Sequence, residues 1–493
     1  MKEEKIFDFI YVWRKFFYFF GFLFGIAIHS ATPYHKYTYT IWLILSFSLL
    51  VIFILFRKRS VPTIVFLLAI ILGILRFDLS VPVLLSGSVE SSSAVVQNVW
   101  FGSYGISTLV MIESGGVFAT PIKLQLSLKD EIPIGSKINL QCTIKNNQKY
   151  TNESEYQQAM SYYYTGQNCA NAKVQIIKSP SFWDMRDIFR IWRDGVKRRI
   201  SLALPGDEGI LIAGILYGER NLSSFSKDLF RRAGLTHIIA VSGSNFTLII
   251  TVIFSILLGF GFWRHQAFTI TTASMILFFG FVGFSASVAR AALMGWILLL
   301  SRHLGRSNNI WYLCLLVAFL LCLYDPWMLI YDAGFALSFL ATMGLVLFTP
   351  ILMDHMKFIP SIGGLREAAA TTFSATLMTL PYVSLVFDRI SLAGLFTNLI
   401  AVPIVPWAML FGFISAIFGG AFTYIDLPAL GLSKAIFLSA KIADIFPWLD
   451  IHIQGMNIFL CFGLYVLIIR IWFLLRKKND LYTKQSIYCN STT

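Results

Sequence analysis

Charge is what this sequence has least of. Only 13% of its 493 residues are Asp, Glu, Lys or Arg, while 56% are hydrophobic; a soluble globular domain carries about 25% charged residues. That balance excludes an ordinary soluble fold. The cysteine patterns that mark metal or disulfide scaffolds are also missing: there are six Cys but no CxxC pair, so neither a zinc ribbon nor a disulfide-dense framework fits. The chain has no Walker P-loop, and no metal or other cofactor is expected. The first apolar run, Phe16 to Ile28, is not followed by a small-residue cleavage pattern, so it reads as a retained anchor.

What is present is a series of long apolar stretches. Phe16 to Ile28, Thr40 to Phe56 and Val61 to Leu79 approach the length that crosses a hydrocarbon core of about 30 Å. Further candidates are Phe246 to Phe262, Ala267 to Phe284, Ser285 to Leu300, Ile310 to Tyr324, Met328 to Met353, Ala368 to Phe387, Leu392 to Ala416, Ala435 to Pro447 and Met456 to Leu475. Ala435 to Pro447 is short and contains Asp444. Lys and Arg outnumber Asp and Glu 40 to 26, a net charge of +14. The clusters at Arg14-Lys15, Arg57-Lys58-Arg59, Arg302/Arg306 and Arg476-Lys477-Lys478 each flank an apolar stretch. The positive-inside rule produces that arrangement by itself, so the charge names no partner. The same rule puts both termini in the cytoplasm of a bacterial cell and leaves Asp325, Asp388 and Asp450 outside, with Arg389 as the exception.

The expected fold is thus a polytopic α-helical membrane protein with a small extracytoplasmic all-β domain. Residues 1–85 form an N-terminal anchor of about three helices, and 86–180 the outer β domain. In that domain Ile122/Leu124/Leu126/Leu128 and Ile138/Leu140/Cys142/Ile144 alternate with the period of half-buried strands, and a turn at Gly115-Gly116 precedes them. Glu153 to Tyr164 suggests a helix. Tyr156, Tyr162, Tyr163 and Tyr164 suit base stacking and equally suit core or interfacial packing. Cys142 and Cys169 lie in an oxidising compartment, where a disulfide closing a loop of this length stabilises by about 3 kcal/mol. Residues 181–205 alternate apolar and basic side chains as an interfacial amphipathic helix does, 206–478 hold the remaining spans, and 479–493 form a cytoplasmic tail.

Polar groups set into this apolar background carry the functional expectation. Gly209 to Tyr217 is too short to span and is bracketed by Asp207-Glu208 and Glu219-Arg220, so it is expected to dip into the membrane and return; irregular backbone at depth requires protein or water around it. Next come His237, Ser242, Gly243, Ser244 and Asn245 at the mouth of an apolar run, where helix capping and pore lining both account for them. Arg290 sits inside a run whose small residues recur every four positions, and a charge there costs about 2.5–3.5 kcal/mol on insertion scales. Snorkelling, a salt bridge to Asp332 and a mobile anion contact are the readings open to it.

Several of these segments occur together elsewhere. Gly214 to Asn245, with Gly218-Glu219-Arg220, Phe230, Gly234, His237 and Ser242-Gly243, resembles the signature of the ComEC-type competence channel family. Ser285 to Met294, Asp325-Pro326 to Thr342, and Pro381 through Asn398 to Pro403 resemble the family's order and spacing, and Glu153 to Gly166 with Cys169-Ala-Asn-Ala is similar to the end of its OB-like domain. The resemblance runs from about Phe16 to Leu475. It implies a channel that carries single-stranded DNA across the cytoplasmic membrane during natural transformation. Arg220, His237, Ser242, Gly243, Ser244, Asn245, Arg290 and Asp332 would lie along the path. An outer DNA receptor protein, a cytoplasmic helicase or translocase, a separate nuclease and the lipid bilayer would be its partners. The family often carries His where Asn245 stands, and often a metallo-β-lactamase-like domain with an HxHxDH run, which is absent here; no intrinsic nuclease or other enzyme activity is therefore expected. An intramembrane serine hydrolase built on Ser242 and His237 is the alternative. Against it, Ala240 stands where a GxSx motif needs Gly, and no oxyanion donor is evident. A small-solute secondary transporter would predict inverted repeats, and no internal repeat is visible.

Overall fold

A computed structural model describes residues 18–30, 44–45, 48–49, 51, 61–80, 88–102, 105–112, 122–128, 132, 135–144, 167–178, 185–219, 222–239, 243–283, 286–305, 309–360, 364–419, 423–453 and 455–490. The chain divides into two compact units, Met1–Trp192 with Leu304–Asp332, and Arg193–His303 with Ala333–Thr493. Each is described by itself.

In the first unit, α1 (Tyr18–Ser30) and α2 (Val61–Asp78) pack backbone to backbone. A Cβ added at Gly25 would lie 2.2 Å from the Ile70 carbonyl oxygen, and one at Gly73 2.1 Å from that of Phe22. Small residues allow this approach where helices lack an aqueous hydrophobic drive to associate. Five strands follow, β1 (Ser88–Gly102), β2 (Gly105–Ile112), β3 (Ile122–Leu128), β4 (Lys137–Ile144) and β5 (Gln167–Lys178), closed into a barrel in the order β1-β2-β3-β5-β4. The long β1 closes it by pairing with both β2 and β4, shifting register between Ser91 and Ala94 and again between Val96 and Asn98. The β3–β5 pairing is parallel, the rest antiparallel. The period-2 alternation delivers Leu124, Leu126, Ile138, Leu140, Cys142 and Ile144 to one buried core. A disulfide joins Cys142 to Cys169 with Cα atoms 5.8 Å apart. The helix expected over Glu153 to Tyr164, the turn at Gly115-Gly116 and most of Thr40 to Phe56 lie outside the described residues.

The second unit begins within the amphipathic helix α3 (Met185–Ala203) and continues through α4 (Asp207–Tyr217), α5 (Ser224–Arg232), α6 (Thr236–Ile239), α7 (Gly243–Gly259), α8 (Arg264–Val282) and α9 (Ala286–His303). Then α10 (Ile310–Tyr324) and α11 (Met328–Tyr331) belong to the first unit. The second resumes with α12 (Ala333–His355), α13 (Leu365–Phe387), β6 (Arg389–Ser391), α14 (Ala393–Phe418), α15 (Thr423–Ala440), α16 (Ile442–Ile445), β7 (Asp450–His452) and α17 (Ile458–Asn490). Among the described residues, five helices, α8, α12, α13, α14 and the Ile458–Leu475 part of α17, are long and apolar enough to cross a membrane.

Three expectations need correction, and one gains detail. The run Met328 to Met353 is two helices, because Asp332 takes an extended conformation at φ −92° and ψ 99°. An Asp directly before a first turn satisfies a helix N-terminus better than it continues a helix. The run Ala435 to Pro447 is replaced by α15, which starts twelve residues earlier. Asp426 and Pro428 mask its beginning from a hydropathy reading, yet Asp426 is buried in the first turn and Asp444 falls beyond the helix end. Next, α7 starts at Gly243, so Ser244 and Asn245 occupy its first turn and are not N-caps. Finally, α17 continues to Asn490, so residues 479–490 are helical.

Candidate functional site

The short helix α4 organises the second unit. Apolar on every side and only 11 residues long, it measures about 16 Å, half of a hydrocarbon core. It stops at Gly218, whose φ of +83° in the left-handed region lets its N–H return to the Gly214 carbonyl. The chain then comes back to where α4 began. The Asp207 carboxylate accepts from the Ser223 N–H at 3.2 Å and from the hydroxyls of Ser223 and Ser226, while Ser223 caps α5. Burial alone would raise the Asp207 pKa, but the three hydrogen bonds outweigh it and hold the carboxyl below its ordinary value. The start of α4 and the start of α5 are thus pinned together by one carboxylate.

Neighbouring helices clamp α4 closely. Ser433 of α15 donates to the Glu208 carbonyl at 3.0 Å. A Cβ on Gly412 of α14 would meet Ile212 at 2.5 Å, and one on Gly214 would meet the Ile239 carbonyl at 2.5 Å. Leu211, Ile212 and Ile215 are fully enclosed. The α5–α6 turn is fixed in the same manner: Thr397 donates to the Ala233 carbonyl at 2.7 Å, Ser391 donates to that of Arg232, and Gly234, at φ +66°, packs on Gly394.

This clamped turn presents His237. Its neighbours Leu235, Ile238 and Ile239 are buried, whereas His237 is exposed. At longer range the same ring is surrounded by protein, and that desolvation pushes its pKa below the ordinary value, opposed in part by a hydrogen bond to the backbone of Gly234. The ring is neutral at pH 7 and keeps donor and acceptor character.

Arg290 lies in the same unit, on α9 facing α12. Its guanidinium donates to the Thr342 hydroxyl at 2.9 Å and to the Met294 sulfur at 3.4 Å, and stands 5.7 Å from the centroid of the Phe339 ring. Thr342 in turn donates to the Ser338 carbonyl. The Thr342 hydroxyl and the Phe339 face are thus among the contacts that hold this cation. Phe246, one residue after Asn245, shares an apolar cluster with Val288 and Ala291 of α9. Asp332 stands between α11 and α12 in an extended conformation. Arg220, Ser242, Tyr156, Tyr162, Tyr163 and Tyr164 lie outside the described residues, as do the side chains of Ser244 and Asn245.

Several polar groups escaped the sequence reading. Arg232 bridges Asp228 at 3.0 Å and Asp444 at 2.6 Å. Arg389 meets His452 Nε2 at 2.7 Å and Asp450 at 3.4 Å across the β6–β7 pair, which explains why this arginine stands among acids. Partners 63 residues apart leave no local signal. The Ser223-x-x-Ser226 spacing opposite an upstream Asp was the one pattern available.

The family model described as Competence protein matches residues 215–478, just over half of the chain. The chain belongs to the competence protein family. The match starts inside α4 and takes in the α5–α6 turn, Arg290 and all of α12 to α16. A curated relative, ComE operon protein 3 of Bacillus subtilis (strain 168), is 25% identical over 268 residues, covering 52% of this chain and 33% of the relative. The matched part thus spans about a third of that relative's length. No solved structure matches the chain.

Proposed function

We propose that this competence-family chain is a multi-pass protein of the bacterial cytoplasmic membrane and forms the path by which single-stranded DNA enters the cell. The observation that carries the reading is the α4 hairpin with His237 beyond it: a helix half a membrane long, returning to its start, followed by an exposed imidazole among buried neighbours. Non-helical backbone is tolerated at membrane depth only where it borders protein or water. A conduit for a polyanion asks for exchangeable donors, since tightly held phosphates stall; His237 and Arg290 are the donors we assign to it. Asn245, Ser242, Ser244, Gly243, Arg220 and Asp332 complete the proposed lining.

The barrel lies outside the cell as an OB-like domain receiving DNA. Its strand order and parallel β3–β5 pair support that assignment, as does a disulfide suited to an oxidising compartment. Both termini are cytoplasmic, and a receptor outside, a helicase or translocase inside and a separate nuclease are its partners. Labelled-DNA uptake in cells lacking the gene tests the whole. Wild type restores entry of label, and Arg290→Ala lowers it about tenfold, the factor of a 1.4 kcal/mol contact. Unchanged entry of label in the deletion strain removes the reading.

A further inference from the structure

At the start of α8 and the end of α9, two histidines 38 residues apart meet: His265 Nδ1 lies 3.3 Å from His303 Nε2, with the rings 26° from parallel. Both side chains are exposed. Phe268, one turn into α8, stacks on His303 at 4.6 Å and 15°, which fixes the plane of that imidazole. From this juxtaposition we propose that His265 and His303 form a two-imidazole site for a late divalent transition metal such as Zn2+, stapling the first turn of α8 to the last residue of α9.

The spacing carries the argument. Zinc–imidazole bonds of about 2.0–2.1 Å at a tetrahedral angle place two ligand nitrogens about 3.3–3.4 Å apart, so the rings already stand as two corners of such a site. One ring proton lies between the two nitrogens; binding places it on the other nitrogen of the same imidazole, which frees both facing lone pairs for the ion. Among the described residues no third His, Cys, Asp or Glu joins them, so water fills the remaining positions and the site stays open and exchangeable. Adjacent Arg264 opposes a cation. The two helix ends act in opposite senses, since the start of α8 repels positive charge and the end of α9 attracts it. Exposure lets water screen all three effects, which a coordinate bond to each imidazole outweighs. Imidazole binds Cu2+ more tightly than Zn2+, and the exposed rings can close the few tenths of an ångström that a tetragonal ion requires, which makes Cu2+ the practical probe.

The test uses the untagged full-length chain in lipid nanodiscs, titrated with Cu2+ and followed by electron paramagnetic resonance, with thermal melting in Zn2+ as a second readout. One equivalent of Cu2+ with two imidazole nitrogens is expected in the wild type and in His355→Gln. His265→Gln and His303→Gln each lose that two-nitrogen signal, and Zn2+ raises the melting temperature of the wild type but of neither variant. Both replacements are exposed, and matching melting curves without metal establish that the variants fold. A wild-type signal with one nitrogen or none overturns the proposal, as does a two-nitrogen signal or a Zn2+-dependent melting shift that survives either replacement.

Discussion

Arginine in this chain serves helix ends as much as membrane topology. Arg76 donates to the carbonyls of Leu323 and Tyr324 at the end of α10, Arg193 to Phe281 near the end of α8, Arg199 to Ile417 near the end of α14, and Arg366 to Ile359 and Lys357 after α12. The last carbonyls of a helix lack intrahelical donors and carry partial negative charge, so a guanidinium satisfies both needs. Carboxylates do the corresponding work at Asp207, where one side chain closes the α4 hairpin. Asp207→Asn keeps the shape but removes the charge from three hydrogen bonds, and bonds to charged groups contribute about 1.5–3 kcal/mol each. With the site half-buried, a net loss of about 2 kcal/mol is expected in thermal or denaturant unfolding of the detergent-solubilised chain. The folded Asp207 pKa is lowered, so its contribution is full above the unfolded value near 3.9 and disappears as pH falls through the lower folded value. Wild type and Asp207→Asn therefore converge in stability below about pH 4; an equal gap at pH 3 and pH 7 would refute the role given to this carboxylate.

Among the elements, hydropathy located most of the helices, because a run of about 20 apolar residues has few other places to go. The strands β3 and β4 were equally legible from their alternation. What stayed hidden depends on contacts remote in sequence. The start of α15 was lost because Asp426 and Pro428 look like loop residues until Asp426 is seen to be buried, and the break at Asp332 because one extended residue scarcely alters an apolar average. Of the candidate site, the polar residues around His237 were readable, while the clamp that presents them was not. That clamp yields a sharp contrast between two glycines. Gly214→Ala puts a methyl 2.5 Å from a backbone oxygen of α6, whereas nothing lies within 4 Å of a Cβ at Gly431 on α15. Overpacking of a fixed site costs about 1–3 kcal/mol, and Gly to Ala in an open helix gains up to about 1 kcal/mol. Melting temperatures should therefore fall for Gly214→Ala and hold or rise for Gly431→Ala. The barrel offers a second element-scale test, since the disulfide closes a loop of 27 residues. Chain entropy assigns about 3–4 kcal/mol to such a link, so the Cys142→Ala/Cys169→Ala double variant of the full chain should be cleaved within the barrel by protease at temperatures where wild type resists.

At the scale of the molecule the question is whether water enters the second unit at all. Two adjacent layers make opposite demands there. Leu211, Ile212 and Ile215 on α4 are closed off completely, while His237, five residues after the end of α5, is exposed. A dry bundle would place both sets out of reach of a polar reagent; a conduit separates them. Cysteine labelling distinguishes the two cases, because the native Cys314, Cys322 and Cys461 are buried and Cys142 and Cys169 are bonded to each other. In a Cys489→Ser background, His237→Cys should react with a membrane-impermeant maleimide in intact cells, and Ile212→Cys should not. Single-stranded DNA engaged in transport should slow the first reaction, since it competes for the same wet surface. If both positions prove inert under conditions that label an exposed loop cysteine, the polar groups of this unit are internal packing and the transport path lies elsewhere.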